Sequence, residues 1–300
     1  MRRSAERKQA TVIPLVPTPG LKLARILVPV ANPATARGLI QMASALGAGR
    51  PAAELVALKI VTAPRGVPIE EARRYILSMR EQYEGALAQA TGYAVEAGLS
   101  LSTELQVAGE AAAGILDYAG SLPDLGLLLL GWRGAVSGRR LRGSINQAIV
   151  SRAQSNVAVL RLHGSELGPL RKVLLPVGWG PHARLGLRLA ERLAANTRAA
   201  MTVLRVLPMA GEVDWEGERA ALVKLLQEEA PGLRYGTELR LTREPAAMPA
   251  ILAEARRAAY DLIVIGATGE SWVRTWLFGA IPDQVAERAP CSVLLVRQRV

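Results

Sequence analysis

Residues 261–296, DLIVIGATGESWVRTWLFGAIPDQVAERAPCSVLLV, combine a buried strand, a glycine-punctuated loop, a helix and a second buried strand. Residues 262–265 form a short apolar run rich in β-branched side chains, which is typical of a strand covered on both faces. Gly266, Gly269 and Gly279 then mark points where the backbone turns sharply or approaches another group closely. A strand that leads through a glycine-rich loop into a helix presents free amides to a phosphate. The stretch therefore predicts an α/β fold with a candidate phosphate loop.

The same plan occurs earlier, in residues 125–162, so the chain carries an internal repeat. There an apolar strand is again followed by glycines, a helix and a strand, and the glycines are Gly131, Gly134 and Gly143. The openings of the two copies also align by eye: RILVPVANPATARGLIQMASALGA begins at residue 25, and KVLLPVGWGPHARLGLRLAERLAA begins at residue 172. We interpret the chain as a tandem duplication, with a basic flexible arm at 1–24, a first domain at 25–163 and a second domain at 170–300.

The composition favours two folded domains over a disordered chain, because half of the 300 residues are hydrophobic. The formal net charge of +11 suits phosphate-bearing ligands, nucleic acid or an anionic membrane, but we attribute most of it to arginines that solvate helix faces. The single cysteine, Cys291, cannot form an internal disulfide, which favours a reducing compartment. No apolar run approaches the ~20 residues of a bilayer span, and the N-terminus lacks a signal-peptide core. A soluble, cytoplasmic protein is predicted.

Strands alternate with helices in both halves, which predicts parallel sheets with helices on both faces. The predicted strands are 25–30, 54–61, 101–107, 125–130, 157–162, 172–177, 200–206, 235–241, 262–265 and 293–296. The predicted helices are 32–46, 69–97, 111–119, a segment from 144, 182–195, 214–229, 247–260 and 280–288. In such folds a ligand sits at the carboxyl ends of the strands, where the winding direction reverses. The Pro-Val ends of each first strand and the glycine loops after each fourth strand are therefore expected to meet at a site.

The order of strand, G-x-x-G, spacer, G-[S/T], helix and short apolar strand resembles the universal stress protein family. The openings ILVPV and VLLPV are similar to the first strand of that family, and APCSVLLV is similar to its last segment. The resemblance covers nearly the whole chain after residue 24, in two copies. It implies an α/β fold of two tandem five-stranded parallel sheets with helices on both faces. These three-layer, flavodoxin-like units would pair through their last strands as an intramolecular pseudo-dimer, which could associate further as a homodimer.

Many members of that family bind ATP or another adenine nucleotide at the glycine loop, and others lack the loop and do not. The resemblance therefore implies ATP, ADP or AMP as a cofactor, with or without Mg²⁺. The candidate nucleotide-binding residues of the first domain are Pro29, Val30, Ala31, Asn32, Gly131, Arg133, Gly134, Gly143 and Ser144. Those of the second domain are Val177, Gly178, Gly266, Gly269, Gly279 and Ala280.

Each copy departs from the family's binding pattern. Ala280 stands where nucleotide binders carry serine or threonine, and the first loop is shortened before Gly143. The turns after the two first strands lack the usual acidic residue, since they contain Asn32 in one copy and Trp179 in the other.

The side chains around the two loops allow more than one interpretation. Arginines in the first loop could trap a phosphate, lie in solvent or pair with acidic residues of the other copy, and they are Arg133, Arg139, Arg140 and Arg142. Large apolar groups in the second loop could stack on a base, but packing or a protein contact is favoured, and they are Trp272, Trp276 and Phe278. His163 and His182 are too isolated for a metal site, and no nucleophile–base arrangement indicates a catalytic residue.

These observations predict a non-catalytic regulatory protein that binds an adenine nucleotide in at least one domain. The alternative is a nucleotide-independent interaction module, or the cytoplasmic regulatory domain of a membrane transporter. The openings VPVANP and GWGPHARL resemble the tandem stress domains appended to some amino-acid permeases and cation/proton antiporters. A transporter partner would place the chain at the inner face of the membrane. Nucleic acid is not expected as a partner, because the arginines are scattered and lack interleaved aromatic residues.

Overall fold

The structure is a computed structural model that describes residues 21–49, 52–132, 145–234, 236–268 and 278–299. The strands are β1 Arg25–Pro29, β2 Glu54–Thr62, β3 Leu101–Ala108, β4 Leu125–Gly131, β5 Asn156–Arg161, β6 Lys172–Pro176, β7 Ala200–Leu207, β8 Thr237–Arg243, β9 Leu262–Gly266 and β10 Ser292–Arg297. The helices are α1 Pro33–Gly47, α2 Ile69–Ser78, α3 Arg80–Tyr83, α4 Gly85–Glu96, α5 Ala111–Ser121, α6 Ile145–Arg152, α7 Pro181–Thr197, α8 Trp215–Glu229, α9 Ala247–Ala258 and α10 Ala280–Arg288. A 3-10 turn at Pro231–Arg234 follows α8.

The ten strands form one sheet in the order β3-β2-β1-β4-β5-β10-β9-β6-β7-β8. Within each half of the chain all neighbouring strands are parallel, as the alternation of strands and helices predicts. The two halves meet where β5 pairs with β10 in the antiparallel direction, with Arg161 opposite Val293 and Val157 opposite Arg297. The prediction of two tandem five-stranded parallel units that pair through their last strands is confirmed. The pairing joins them into a continuous sheet.

Two apolar layers cover the sheet, because successive side chains of each central strand point to opposite faces. Ile26 and Val28 of β1 pack in the layer with α1, α4, α7 and α8, whereas Leu27 packs in the layer with α5, α6, α9 and α10. All three side chains are fully buried. The near-continuous apolar runs in the sequence are therefore the mark of a sheet that is buried on both sides.

The prediction of one long helix over 69–97 is wrong, because the structure has three helices there. The chain leaves helical geometry at Met79, which has φ −116° and ψ 29°, and α4 begins at Gly85. Glycine disfavours the interior of a helix because it loses more backbone entropy than other residues do. The apolar spacing nevertheless identified core positions correctly, since Ile76 and Leu87 are both buried.

Two arginines fasten the antiparallel junction by capping helices of the opposite half. Arg161, the last residue of β5, donates from Nη1 to the carbonyl of Ala289 (3.2 Å), the C-cap residue of α10, and to that of Cys291 (2.9 Å), just before β10. Arg297, the last residue of β10, donates from Nη1 to the carbonyl of Val150, in the last turn of α6. The last carbonyls of a helix lack partners within the helix, so each arginine satisfies groups that would otherwise be buried without one.

A second contact between the halves joins α7 to the end of α1. Arg192 donates from Nε to the carbonyl of Leu46 at 2.8 Å. Asn196 donates from Nδ2 to the carbonyls of Ala45 (2.8 Å) and Ala48 (2.7 Å). Burial lowers the pKa of Arg192, which indicates that this contact is partly shielded from water. The halves are thus joined by packing and hydrogen bonds on one helical layer as well as by the sheet.

Candidate functional site

Two clefts lie at the carboxyl ends of strands, one in each half of the chain. In the first half the chain leaves β1 toward β2 on one side and later reaches β4 on the other side, so the winding direction reverses between β1 and β4. The same reversal lies between β6 and β9 in the second half. Ligands of open α/β sheets bind at such points, because the connections diverge there and leave a crevice.

The first cleft has a volume of about 510 Å³ and an apolar floor with a polar rim. The floor consists of Leu39, Leu58, Ile60, Ile115, Leu130 and Ile149. The rim consists of Asn32, Thr35 and Asn146, and the remaining lining residues are Pro29, Val30, Ala31, Ala111, Gly131, Trp132 and Ile145. This combination can hold a planar apolar group and place hydrogen-bonding groups along one side of it.

Local hydrogen bonds fix the rim of the first cleft. Asn32 caps α1, since its Oδ1 accepts a hydrogen bond from the amide of Ala34 at 3.0 Å. Lys59 donates from Nζ to the carbonyl of Ala31 at 3.1 Å, which brings a positive charge beside the turn after β1. Asn146 donates from Nδ2 to the carbonyl of Gly131 at 3.0 Å and so ties the start of α6 to the end of β4.

The second cleft is smaller, about 300 Å³, and its walls are mostly aliphatic. It is lined by Pro176, Val177, Gly178, Trp179, Gly180, Ala183, Leu204, Arg205, Val206, Ala247, Ile251, Ile265, Gly266, Ala267, Thr268 and Ile281. The guanidinium of Arg205 lies over the ring of Trp179, 4.8 Å from its centroid, and its Nε donates to Glu218 at 3.2 Å. A stacked and paired cation of this kind holds Trp179 at the mouth of the cleft.

Two glycines of the second half are required by close approach. A Cβ at Gly266 would lie 2.6 Å from the carbonyl carbon of His182, so the end of β9 packs directly on the backbone at the start of α7. Gly279 has φ +109°, and a Cβ there would lie 2.0 Å from Oγ1 of Thr268. Phe278, next to it, is buried in the core, and its amide donates to the carboxylate of Asp283 at 3.2 and 3.3 Å. Packing, which the sequence favoured for Phe278, is confirmed.

The structure brings together part of the residue set suggested by the sequence. Pro29, Val30, Ala31, Asn32 and Gly131 all line the first cleft. Within the second half, three of the proposed residues line the second cleft, namely Val177, Gly178 and Gly266. Gly279 precedes α10 and Ala280 is its first residue, and the next residue along the helix lines the cleft.

Several predicted site residues lie outside the described residues, namely Arg133, Gly134, Gly143, Ser144 and Gly269. The same holds for the remaining arginines of the first loop and for Trp272 and Trp276.

Sequence reasoning missed Thr35, Lys59, Asn146 and Arg205. Arg205 had a signal, because it is a charged residue inside the otherwise apolar run MTVLRVL. Lys59 occupies the corresponding position in ALKIV. Thr35 and Asn146 had no such signal, since polar residues in the first turns of helices are common and most of them face solvent or cap the helix.

Burial shifts the pKa values of two titratable groups of the second half, Cys291 and His182. Within the described ranges no cluster of three or more His, Cys, Asp or Glu side chains could hold a metal ion. Burial raises the pKa of the Cys291 thiol to about 11, so this thiol stays protonated and unreactive. Burial, followed by the charge of Arg297, lowers the pKa of His182, whose Nδ1 accepts a hydrogen bond from the amide of Gln298 at 3.1 Å.

The chain matches a known family model over both halves. A model described as the universal stress protein family matches residues 22–161 and again residues 169–297. A search of curated proteins found no match. No helix among the described residues is both long enough and apolar enough to cross a membrane.

Solved structures with the same fold cover nearly the whole chain. A universal stress protein from Archaeoglobus fulgidus aligns with a TM-score of 0.66 at 16% identity, over 93% of this chain and 100% of its own. The cytoplasmic domain of a prokaryotic cation chloride cotransporter aligns with a TM-score of 0.55 at 13% identity, over 92% of this chain and 96% of its own. At such low identity these likenesses establish the shared fold and leave ligand and partner open.

Proposed function

The chain belongs to the universal stress protein family, and from this premise we propose that it is a non-catalytic regulatory protein that binds an adenine nucleotide in its first cleft. The observation that carries the proposal is the first cleft itself, which combines an apolar floor with a polar rim at the switch point of the sheet. Its volume of about 510 Å³ lies within the range of roughly 300–1,000 Å³ that is usual for small-molecule sites.

The base and the ribose of a nucleotide need different surroundings, and the side chains of the first cleft suit both. The adenine base is planar and largely apolar on its faces, so it suits a floor of leucine and isoleucine side chains. The ribose carries hydroxyls that need donors and acceptors, which Asn32, Thr35 and Asn146 supply at the rim.

Positive charge beside the turn after β1 suits the phosphates of a nucleotide. Lys59 stands beside the turn after β1, where its Nζ contacts the carbonyl of Ala31. The sequence that follows Trp132 continues with four arginines within ten residues, at positions 133, 139, 140 and 142. Guanidinium groups bind phosphate oxygens through paired, charge-assisted hydrogen bonds. We infer that these arginines serve the phosphates, and that Mg²⁺ accompanies the nucleotide only through the phosphates themselves.

The second cleft suits a nucleotide less well. Trp179 takes the place of Asn32 and Ala280 takes the place of Ser144, so two polar groups of the first half are missing. Among the described residues that line this cleft, Arg205 is the one charged residue, and most of the other walls are aliphatic. We therefore assign the nucleotide to the first cleft alone.

The proposal is tested by titrating ATP, ADP and AMP, each with and without Mg²⁺, into the full chain while heat release and thermal unfolding are recorded. A matched pair of variants locates the ligand. Ala111 is the first residue of α5 and lines the first cleft, and Ala247 is the first residue of α9 and lines the second cleft. Ala111→Phe should abolish binding, because the ring fills the cleft, whereas Ala247→Phe should leave the affinity unchanged.

Ligand at ~100 times its dissociation constant stabilises a protein by about 2.7 kcal/mol, which gives an easily measured rise in Tm. If the nucleotide still raises the Tm of the Ala111→Phe variant, the assignment to the first cleft is contradicted. No heat and no Tm shift with any nucleotide would overturn the proposal. In that case we would favour a nucleotide-independent interaction module, or a regulatory partner of a membrane transporter at the cytoplasmic face, which the shared fold with a cotransporter domain permits.

A further inference from the structure

The second cleft differs in chemistry from the first, because its polar rim has been replaced. Its walls consist largely of aliphatic side chains from strands β6, β7 and β9 and helices α7, α9 and α10. Among the described residues that line it none carries a carboxylate, and Arg205 is the single charged one. A mostly apolar cleft with one fixed charged group is typical of sites that bind an apolar body by a single polar end.

Arg205 has hydrogen-bonding capacity to spare. Its guanidinium carries five N–H donors, and within the described chain only Nε is used, for the bond to Glu218. The side chain is 17% exposed, so it is largely shielded by the walls of the cleft and by Trp179. The two Nη groups can donate a pair of hydrogen bonds to one carboxylate, while Nε keeps its bond to Glu218.

The volume of the cleft sets the size of the group that it can enclose. A cavity of ~150 Å³ lined by apolar residues takes up benzene, and the second cleft has about twice that volume, 300 Å³. A ligand that fills it therefore has about ten to twelve non-hydrogen atoms. This is smaller than any nucleotide and is the size of an aromatic or branched monocarboxylic acid.

We propose that the second cleft binds a small apolar monocarboxylic acid, whose hydrocarbon body lies against the aliphatic walls and whose carboxylate pairs with the Nη edge of Arg205. Trp179 closes the mouth of the cleft over the guanidinium. The chain would then have two ligand sites of different chemistry, one in each half. The proposal does not depend on nucleotide binding in the first cleft.

The test uses three probes of similar size that share a phenyl group and differ in the charge of their polar end, titrated calorimetrically into the full chain. They are 3-phenylpropionate, the neutral 3-phenylpropionamide and the cationic 3-phenylpropylamine. We expect the acid to bind with a Kd on the order of 10–100 µM, given the free energy available per ligand atom. The amide should bind about ten-fold more weakly, because it loses the charge-assisted pair, and the amine should not bind.

Variants of the chain separate the charged contact from the cavity. Arg205→Gln should reduce the affinity of the acid to that of the amide and leave the amide unchanged. Ala247→Phe should abolish the binding of both, because the ring fills the second cleft from the start of α9. The matched variant Ala111→Phe, in the first cleft, should leave both affinities unchanged. Thermal unfolding of each variant confirms that it is folded.

Four outcomes would overturn the proposal. They are an acid that binds no better than the amide, binding that survives Ala247→Phe, loss of acid binding in Ala111→Phe, and absence of binding at millimolar acid. Loss of acid binding in Ala111→Phe would place the acid in the first cleft. The absence of AMP binding, by contrast, would bear only on the nucleotide proposal.

Discussion

The two clefts occupy the same place in their halves of the sheet, but different side chains line them. Trp179 in the second cleft corresponds to Asn32 in the first. Arg205, which lines the second cleft, corresponds in sequence to Lys59, whose Nζ contacts the carbonyl of Ala31 beside the first cleft. Both clefts lie at a switch point that the order of the strands creates, so the backbone provides the crevice twice. The difference between the clefts shows that the fold decides where a ligand can bind and the lining side chains decide its chemical class.

The two glycines that end β4 and β9 illustrate the same contrast at the level of the backbone. Gly266 packs on the backbone of α7, whereas a Cβ at Gly131 would come no closer than 3.4 Å to a leucine side chain, Leu39. The same motif position is thus essential for packing in one half and replaceable in the other.

The largest expected effect comes from substituting these two glycines. Gly266→Ala should lower the free energy of unfolding by about 3 kcal/mol, because rigid backbone atoms of α7 must move away from the new methyl group. Gly131→Ala should change it by less than about 1 kcal/mol, since its nearest neighbour is a flexible side-chain end. Urea unfolding of both variants measures the difference. Equal effects would mean that the two halves pack alike at this point.

Substituting the two arginines of the junction tests whether each half stabilises the other by the same amount. Arg297→Ala should cost about 2 kcal/mol, because the buried carbonyl of Val150 loses a charged donor. Arg161→Ala should cost a similar amount, since it deprives the carbonyls of Ala289 and Cys291 of their donor.

Chemical unfolding of both arginine variants gives the free energies. Lysine at either position should restore only part of the loss, as it lacks the planar fork of arginine. A cost below about 0.5 kcal/mol for either alanine variant would show that water donates to the exposed carbonyls in place of that arginine.

The helix caps beside the clefts provide a smaller test. Asn32, the N-cap residue of α1, caps that helix with its side chain, whereas the N-cap residue of α7, Gly180, offers no side-chain cap. Asn32→Ala should therefore cost about 1 kcal/mol, and Gly180→Ser should gain a few tenths of a kcal/mol. The midpoints of urea unfolding at constant slope reveal both changes. No gain from the serine would indicate that its hydroxyl does not reach the first amides of α7.

The smallest expected effect is a pH dependence of the stability that arises from His182 in the second half. His182 accepts a hydrogen bond through Nδ1, and burial and Arg297 keep its pKa below the ordinary 6.5. As the pH falls below 6.5, the unfolded chain takes up a proton at this histidine that the folded chain does not, so stability declines until the pH passes the lowered pKa. Thr35, the counterpart in the first half, does not titrate.

The histidine prediction is checked by urea unfolding of the wild type and of His182→Gln between about pH 7.5 and pH 5. The variant should lose less stability than the wild type over this interval. Identical slopes against pH would show that His182 takes up its proton as readily in the folded chain as in the unfolded one.

The elements that the sequence predicted well are those with strong local patterns. The runs around β4 and β9 are apolar and bounded by glycine, and α10 was predicted with the same bounds that the structure shows, Ala280–Arg288. The prediction of one helix over 69–97 was wrong because the apolar spacing continues across Met79 and Gly85, whereas the helical backbone is interrupted there. The turns at Ala31 and Gly178 were placed at the clefts because a parallel sheet leaves few positions for a crevice.

The sequence by itself determined the duplication, the order of strands and helices and the family, because each follows from patterns between near neighbours or from comparison of the two copies. The tertiary structure alone decided the pairing of Arg161 with α10 and of Arg297 with α6, between residues that lie 130 and 147 positions apart. It also decided the different volumes of the clefts and the stacking of Arg205 on Trp179. Such contacts depend on the path of the whole chain through space, which no local periodicity records.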